Sequence, residues 1–363
     1  MINFSNEKHV KQDDEIKTKF IIIIRLVQNF SLIVNWLSSS HLKIKLSIDK
    51  LHLNFSMNTL HRIFKPFVFF LVIFSFEISY SQDNTPKVLV VTAHPDDDAA
   101  FSGANYKIVQ DLKGIVDLAL ITNGEGGYKY STLSENIYGL ELTNEDIGRK
   151  YLPEIRKKEL EAGGKIVGIR NYYYFDQKDH RYITSADIKE ILDSNIWDLN
   201  YIRTKLKDII ETEKYDFVFV LTPSMGTHAH HSSAGILTLQ VINSLDSLSR
   251  PVVLGGTVSN KNDSVKFIYK GFEGFPVTTV SDALPFEFDR TQKFGFKDVL
   301  DYKIIVNWVI AEHKSQGTMQ LLMNRGDVEN YWYFDINRRS GLEKTQELFD
   351  KLKINYYVKK EYK

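Results

Sequence analysis

Residues 87–98 read KVLVVTAHPDDD. The first six, Lys87–Thr92, are short, β-branched and unbroken, as expected of a strand buried on both faces. Close behind them stand His94 and three consecutive aspartates, Asp96, Asp97 and Asp98, with Pro95 stiffening the turn. Helical periodicity then covers 99–112, and a second apolar run at 115–122 (IVDLALIT) stops at the turn Asn123-Gly124-Glu125-Gly126-Gly127. Strand, helix, strand predicts a parallel sheet and the α/β class. Ligands of such sheets sit in the crevice beyond the carboxyl ends of the strands, so His94 and its aspartates are placed to face a substrate.

Working outward, residues 152–168 have helical periodicity and stop at a glycine, 171–175 reads as a strand, 198–213 as a helix and 216–221 (DFVFVL) as a further buried strand. Beyond about Leu254 the alternation loosens, with expected strands at 265–269 and 277–280 and helices at 301–312 and 341–352. No repeat or low-complexity linker separates this part, so 85–355 is read as a single domain with an irregular C-terminal extension.

Lysine plus arginine and aspartate plus glutamate number 46 each in 363 residues. No overall field favours nucleic acid or an anionic membrane surface, and recognition is expected to be local. Cysteine is absent, which excludes disulfides, thiolate metal sites and cysteine nucleophiles and leaves His, Asp and Glu as metal ligands.

From Met57 the chain reads MNTLHRIFKPFVFFLVIFSFEISYSQ: Arg62 and Lys65, an apolar run at 67–76, then Ser79 and Ser81. This is the layout of a secretory signal peptide, 57–81, with Gln82 first after cleavage. The apolar run is half the roughly 20 residues of a transmembrane helix, so no stable span is expected after cleavage. Residues 1–56 then precede the true start and are not expected in the mature, secreted or periplasmic protein. In the competing reading residues 20–36 cross a membrane, at a cost set by Arg25, Gln28 and Asn29, and residues 67–76 are a second membrane segment.

Three adjacent aspartates repel one another unless a cation or a helix N-terminus compensates. Helix capping alone is one account of them. A second cluster, Thr227-His228-Ala229-His230-His231, follows the strand at 216–221 and so lies beyond a strand end on the same edge. A solvated histidine-rich loop is the plain account; a metal site is the sharper one, because imidazole and carboxylate are preferred zinc ligands. Two histidines and one carboxylate with an open position make a catalytic zinc site, where the pKa of water falls to about 7 and a neighbouring carboxylate acts as general base.

These residues resemble the PIG-L, or LmbE-like, N-acetylglucosaminyl deacetylases. The family hallmark Ala-His-Pro-Asp-Asp-Glu stands here as AHPDDD at 93–98, and a later His-x-Asp-His element is matched by His228-Ala229-His230-His231. An Arg-x-x-Glu-Leu helix is matched by Arg156-Lys157-Lys158-Glu159-Leu160, and a His-x-Ser-Gln element by His313-Lys314-Ser315-Gln316. The similarity runs from about Lys87 to His231, with the last element beyond it. The resemblance implies a Rossmann-like, mostly parallel sheet flanked by helices. It implies that His94, Asp97 and His231 hold Zn2+ or another divalent metal, and that Asp96 is the general base. His228 would polarise the carbonyl oxygen or protonate the leaving amine, Arg156 would contact sugar hydroxyls, and Asp176 would be a second sugar contact. Three positions depart from the pattern: Asp98 replaces Glu, His230 replaces the Asp that orients the histidine, and Gly226 stands where some relatives have a tyrosine.

Other features have ordinary accounts. The NGEGG segment presents backbone amides to an anion or is a plain turn, with Glu125 able to face the site. Tyr172 to Tyr174 and Tyr331-Trp332-Tyr333 are read as core or cross-strand pairs rather than sugar platforms. Arg156 could pair on the helix surface with Glu159 or Glu161, and His313 could be a satisfied, half-buried histidine. The expected function is removal of the N-acetyl group from an amino sugar or glycoconjugate. The rivals are a zinc hydrolase of another acyl linkage and a carbohydrate-binding protein without catalysis.

Overall fold

The strand of Lys87–Thr92 (β1) forms with the predicted boundaries, and its five residues from Val88 to Thr92 are all buried. The computed structural model describes residues 85–282 and 284–357. The 1–56 segment and the signal peptide at 57–81 lie outside the described residues. From Thr85 onward the chain clusters as one compact unit.

In chain order β1 is followed by helix α1 (Ser102–Gln110), β2 (Ile115–Thr122), α2 (Glu145–Val167), β3 (Tyr172–Gln177), α3 (Leu199–Glu213), β4 (Phe217–Leu221), α4 (Ala229–Ser244) and β5 (Val252–Ser259). Then come β6 (Phe286–Asp289), a small hairpin of β7 (Lys293–Phe294) and β8 (Leu300–Asp301), α5 (Lys303–Glu312), β9 (Val328–Tyr333) and α6 (Arg339–Lys353). Seven strands form one sheet in the order β3-β2-β1-β4-β5-β9-β6. The first five pair in parallel, and β9 runs antiparallel to both β5 and β6. Chain order reverses across β1, which pairs with β2 on one side and β4 on the other, and that reversal opens the crevice in which such sheets bind ligands.

The unbroken apolar strands follow from burial on both faces. On β1, Leu89 and Val91 join one core with Val218, Val220, Ile202 and Leu237, while Val88 and Val90 join the other with Phe217, Phe219, Phe101 and Leu348. Alternate side chains of a strand point to opposite faces, so each residue has a core to enter. Two expected strands do not form. Residues 265–269 and 277–280 make no strand, the second beginning in a 3-10 turn at Pro276–Thr278, and the edge of β5 is taken by β9; Val265 and Ile268 are exposed, while Val280 and Tyr269 reach the core, Tyr269 against Trp332 and Phe334.

Helix α2 begins at Glu145, well before the periodicity at 152 indicated. Asn144 caps it, its side chain accepting from the amides of Asp146 and Ile147, and Pro153 lies inside it. It ends, as expected, at Gly168, whose φ of 96° closes the last turn.

Candidate metal centre and surrounding cavity

The loops beyond the parallel strands converge on a cavity of about 1040 Å3. Residues 94–98 follow β1, Gly126 and Gly127 follow β2, Asp179 follows β3, and Thr227 to His231 bridge β4 and the start of α4. Helix α2 contributes Arg156, and the segment after α5 contributes Gln316.

His94, Asp97 and His231 offer one ligand atom each within 4.8 Å of one another. His94 Nδ1 lies 3.0 Å from His231 Nε2, which lies 3.1 Å from Asp97 Oδ1. The other oxygen of Asp97 accepts the amides of Ala93 and His94 at 3.0 and 2.7 Å, so the loop folds around its own carboxylate and fixes it. His231 is steadied from behind by Thr227 Oγ1, 2.8 Å from Nδ1. The far nitrogen of His94, Nε2, faces His230 Nδ1 at 3.0 Å and Asp179 Oδ1 at 3.6 Å. A neutral His94 protonated on Nε2 donates there and keeps the Nδ1 lone pair for a cation. Two imidazole nitrogens and a carboxylate oxygen on one side of a cavity are the donor set of a divalent ion with an open position. A second group, His94, His228 and His230, is also close enough. It fits less well: His230 is fully buried away from the cavity, and His228 Nδ1 is occupied by a backbone amide.

The electrostatics agree with this grouping. Burial would lower the pKa of His94, but Asp179 and Asp97 outweigh it and raise it to about 10. Burial would likewise raise Asp97, and the facing His231 and His94 hold it well below the usual carboxylate range. The cluster is therefore built to hold positive charge between its carboxylates, a proton or a cation.

Asp96 is not part of this trio. Its Oδ1 accepts from Arg156 Nη2 at 2.6 Å, and its side chain reaches the cavity. Arg156 is buried, not a surface charge: Nη1 donates to the Gly124 carbonyl at 2.7 Å and lies 3.8 Å from Asp179 Oδ2. Its helix neighbour Glu159 is buried too, accepting from the amide and hydroxyl of Ser315 and from Tyr138.

His228 caps α4, its Nδ1 accepting the His230 amide at 3.0 Å. With Nδ1 an acceptor, the neutral ring carries its proton on Nε2 and is a hydrogen-bond donor from that atom. Burial, and then the neighbouring His94, His230 and His231, push its pKa down to about 2. It is neutral throughout the physiological range. Tyr182 stands edge-on to it, ring centroids 4.8 Å apart, on the cavity wall where Gly226 has no side chain to offer.

The structure thus brings together His94, Asp96, Asp97, Arg156, His228 and His231. It does not bring in Asp176, which is exposed, has a φ of 53° and pairs with Lys157 outside the cavity. The carboxylate at that end of the site is Asp179, which the sequence reading missed. Its signal was positional: β3 runs on to Gln177, so residue 176 is still in the strand whereas 179 is in the loop beyond it. Asp179 Oδ1 faces His230 Nδ1 at 3.4 Å, so a carboxylate from another loop meets the histidine that stands where the pattern has an aspartate. Asp98 reaches His313 at 2.8 Å, and that carboxylate outweighs burial to raise the pKa of His313, which is fully buried. The NGEGG segment turns at Gly124 (φ 74°) into a short 3-10 helix, Glu125–Tyr130, in which the Gly126 amide donates to Asp179 Oδ2 at 3.1 Å and Glu125 faces Arg149. Tyr331 and Trp332 are core residues, and Tyr172 and Tyr174 stack on each other.

Residues 89–242 match the PIG-L family model, described as GlcNAc-PI de-N-acetylase. A Bacillus cereus protein named "Probable N-acetyl-alpha-D-glucosaminyl L-malate deacetylase 2" is 25% identical over 178 residues, 49% of this chain and 70% of that protein. Among solved structures, N,N'-diacetylchitobiose deacetylase from Pyrococcus horikoshii aligns with a TM-score of 0.41 at 17% identity, covering 68% of this chain and 82% of that one. The A40926 pseudoaglycone deacetylase Dbv21 gives 0.43 at 15% identity, covering 70% and 99%. The 4-carboxy-2-hydroxymuconate hydratase GalB of a Pseudomonas gives 0.41 at 12% identity, covering 70% and 97%.

Proposed function

We propose that this chain, with its PIG-L domain at residues 89–242, is a zinc-dependent N-deacetylase acting on an amino sugar or glycoconjugate. The observation that carries the reading is the convergence of His94 Nδ1, Asp97 Oδ1 and His231 Nε2 on a cavity that also receives Asp96. A divalent ion held by that trio supplies Lewis acidity toward a carbonyl oxygen and lowers the pKa of nearby water.

The chain's own groups do the rest. Arg156 pins Asp96 by Oδ1, leaving Oδ2 to take the proton of a water that adds to the amide carbon. The Nε2–H of His228 donates to the carbonyl oxygen as charge builds on it, and its low pKa keeps it a neutral donor rather than a charged one. Asp96 then passes its proton to the nitrogen as the carbon–nitrogen bond breaks, giving acetate and the free amine. Arg156 and Asp179 are engaged with Asp96 and His94 and act as positioning groups, while Asp176 lies outside the cavity.

Export under a signal peptide starting at Met57 belongs to the same proposal, supported by the basic, apolar and small-residue layout of 57–81. N-terminal sequencing that found residues 1–56 retained would refute it. The activity is tested by metal analysis together with acetate release from N-acetylglucosamine and short chitin oligomers, before and after chelation. Release that chelation stops and zinc restores is the expected result. Bound metal without release from any of them moves the chemistry to another acyl linkage, and failure to bind metal overturns the ligand assignment.

A further inference from the structure

The His-x-Ser-Gln element at 313–316 has no part in the chemistry described so far, yet three of its side chains, His313, Ser315 and Gln316, are buried just beyond the end of α5. Polar groups of a connecting segment are ordinarily left to solvent, and burying them costs free energy unless each finds a partner. Here the partners lie on other elements. His313 Nε2 is 2.8 Å from Asp98 Oδ1, directly behind Asp96 and Asp97. The Ser315 amide and hydroxyl donate to the two oxygens of Glu159 on α2 at 2.8 and 2.6 Å, and the Ser315 carbonyl accepts from Ser131 Oγ at 3.0 Å. The Gln316 amide closes a turn on the His313 carbonyl at 3.0 Å. The backbone that carries Gln316 is therefore held from both sides.

The Gln316 side chain meets Arg156, which shares a face of α2 with Glu159. In the amide orientation that satisfies both groups, Gln316 Oε1 accepts from Arg156 Nη1 at 3.0 Å and from Nη2 at 3.3 Å, in the notch between the two nitrogens. Nη1 also donates to the Gly124 carbonyl at 2.7 Å and Nη2 to Asp96 Oδ1 at 2.6 Å. The outer nitrogens thus have an acceptor on each flank and a third between them, and the guanidinium cannot swing off Asp96 without giving up the notch as well. Gly127 leaves room for this contact: a Cβ there would overlap the end of the Gln316 amide and lie 2.7 Å from Arg156 Nη1.

We propose that Gln316 is a positioning residue for the general base. By locking Arg156 it fixes the Asp96 carboxylate toward the cavity, and the 313–316 segment is the brace that holds Gln316 in place. The kinetic consequence rests on the hydrolase reading of the site, whereas the lock on Arg156 does not.

The test uses the metal-loaded protein with 15N-labelled arginine. The Arg156 signals, identified by their loss in Arg156→Lys, should show separate Nη1 and Nη2 resonances, as a guanidinium held at three points requires. In Gln316→Leu, and in Gln316→Asn, whose shorter side chain withdraws the oxygen from the notch, they should merge through rotation; Gln316→Glu keeps an oxygen there and should keep them apart. Acetate release from N-acetylglucosamine should lose about 10- to 100-fold in kcat in Gln316→Leu, with KM and metal content within about twofold of wild type, and Gln316→Glu should recover most of the loss. In an Asp96→Asn background Gln316→Leu should have no further effect, because it acts through Asp96. Resonances equally separate in wild type, Gln316→Leu and Gln316→Asn overturn the lock. Kinetic losses at 96 and 316 that multiply overturn the positioning of the base. Merging resonances in a protein whose wild type releases no acetate remove the hydrolase reading and leave the lock standing.

Discussion

The carboxylate of Asp97 accepts two amides of its own loop and faces His231, whereas that of its neighbour Asp96 turns to Arg156. The two therefore separate in a mutational test. Asp96→Asn should cut turnover by at least about 100-fold, the usual yield of a general base, with metal content unchanged; lost metal would place Asp96 among the ligands. Asp179→Asn should act through His94. Removing the charge beside Nε2 loosens the orientation of that ring, and metal affinity measured by chelator competition should fall about 10- to 100-fold. Away from the site, Lys107 is fully buried, its Nζ on Gln292 at 2.8 Å, and burial lowers its pKa to about 8 despite Asp111. Between about pH 8 and the ordinary lysine value near 10.4, the unfolded chain binds more protons than the folded one, so this group makes stability rise with pH. Below about pH 8 both states are charged and the full burial cost remains. Lys107→Met should be more stable than wild type at pH 7 in urea unfolding, with the gap narrowing toward pH 10.

At the scale of elements, the sequence is readable wherever one signal dominates. β1 and β2 are apolar runs with both faces buried, and they form with the predicted ends. β5 escapes the same reading because Gly255 and Gly256 interrupt its run, and the reason for them is spatial: a Cβ on Gly256 would lie 2.1 Å from the ring of Phe101. Gly256→Val should destabilise the protein by about 1–3 kcal/mol or more, seen as a lowered urea midpoint. Gly226→Ala, with nothing within 4 Å, serves as the neutral control. Helix α4 is likewise hard to read, since most of its residues are buried and it has no polar stripe to give a period. Its start was visible only as a histidine cluster, and the helix explains that cluster: His228 caps it, while His230 and His231 leave its first turn in different directions. Asp179 escaped for a related reason, because its partners His94 and His230 are distant in sequence and meet only through the sheet.

At the scale of the molecule, the C-terminal part is irregular as expected, and it also supplies two strands of the main sheet and a strut to the site. Glu329 on β9 accepts the amides of Gly103 and Ala104 at the start of α1, together with Arg290 Nε and Tyr331. Arg290 in turn donates to the carbonyls of Ala99 and Ala100, just behind the aspartates. Both side chains are buried, so removing one charge strands the other. Glu329→Gln should lower unfolding free energy by about 3–5 kcal/mol and weaken metal binding with it, although residue 329 touches no ligand; unchanged metal affinity in the folded variant would limit the strut to stability.

The insertion of β9 between β5 and β6 also bears on how the protein is made. β5 is synthesised long before its outer partner, and until Val328–Tyr333 has left the ribosome its eight residues, VVLGGTVS, present an unsatisfied row of amides and carbonyls. Such an edge is a template for other chains. A nascent chain stalled before β9, or one cut there by a protease, is therefore an aggregation seed rather than a smaller working enzyme, and a holding chaperone has most to do in the interval between those two strands.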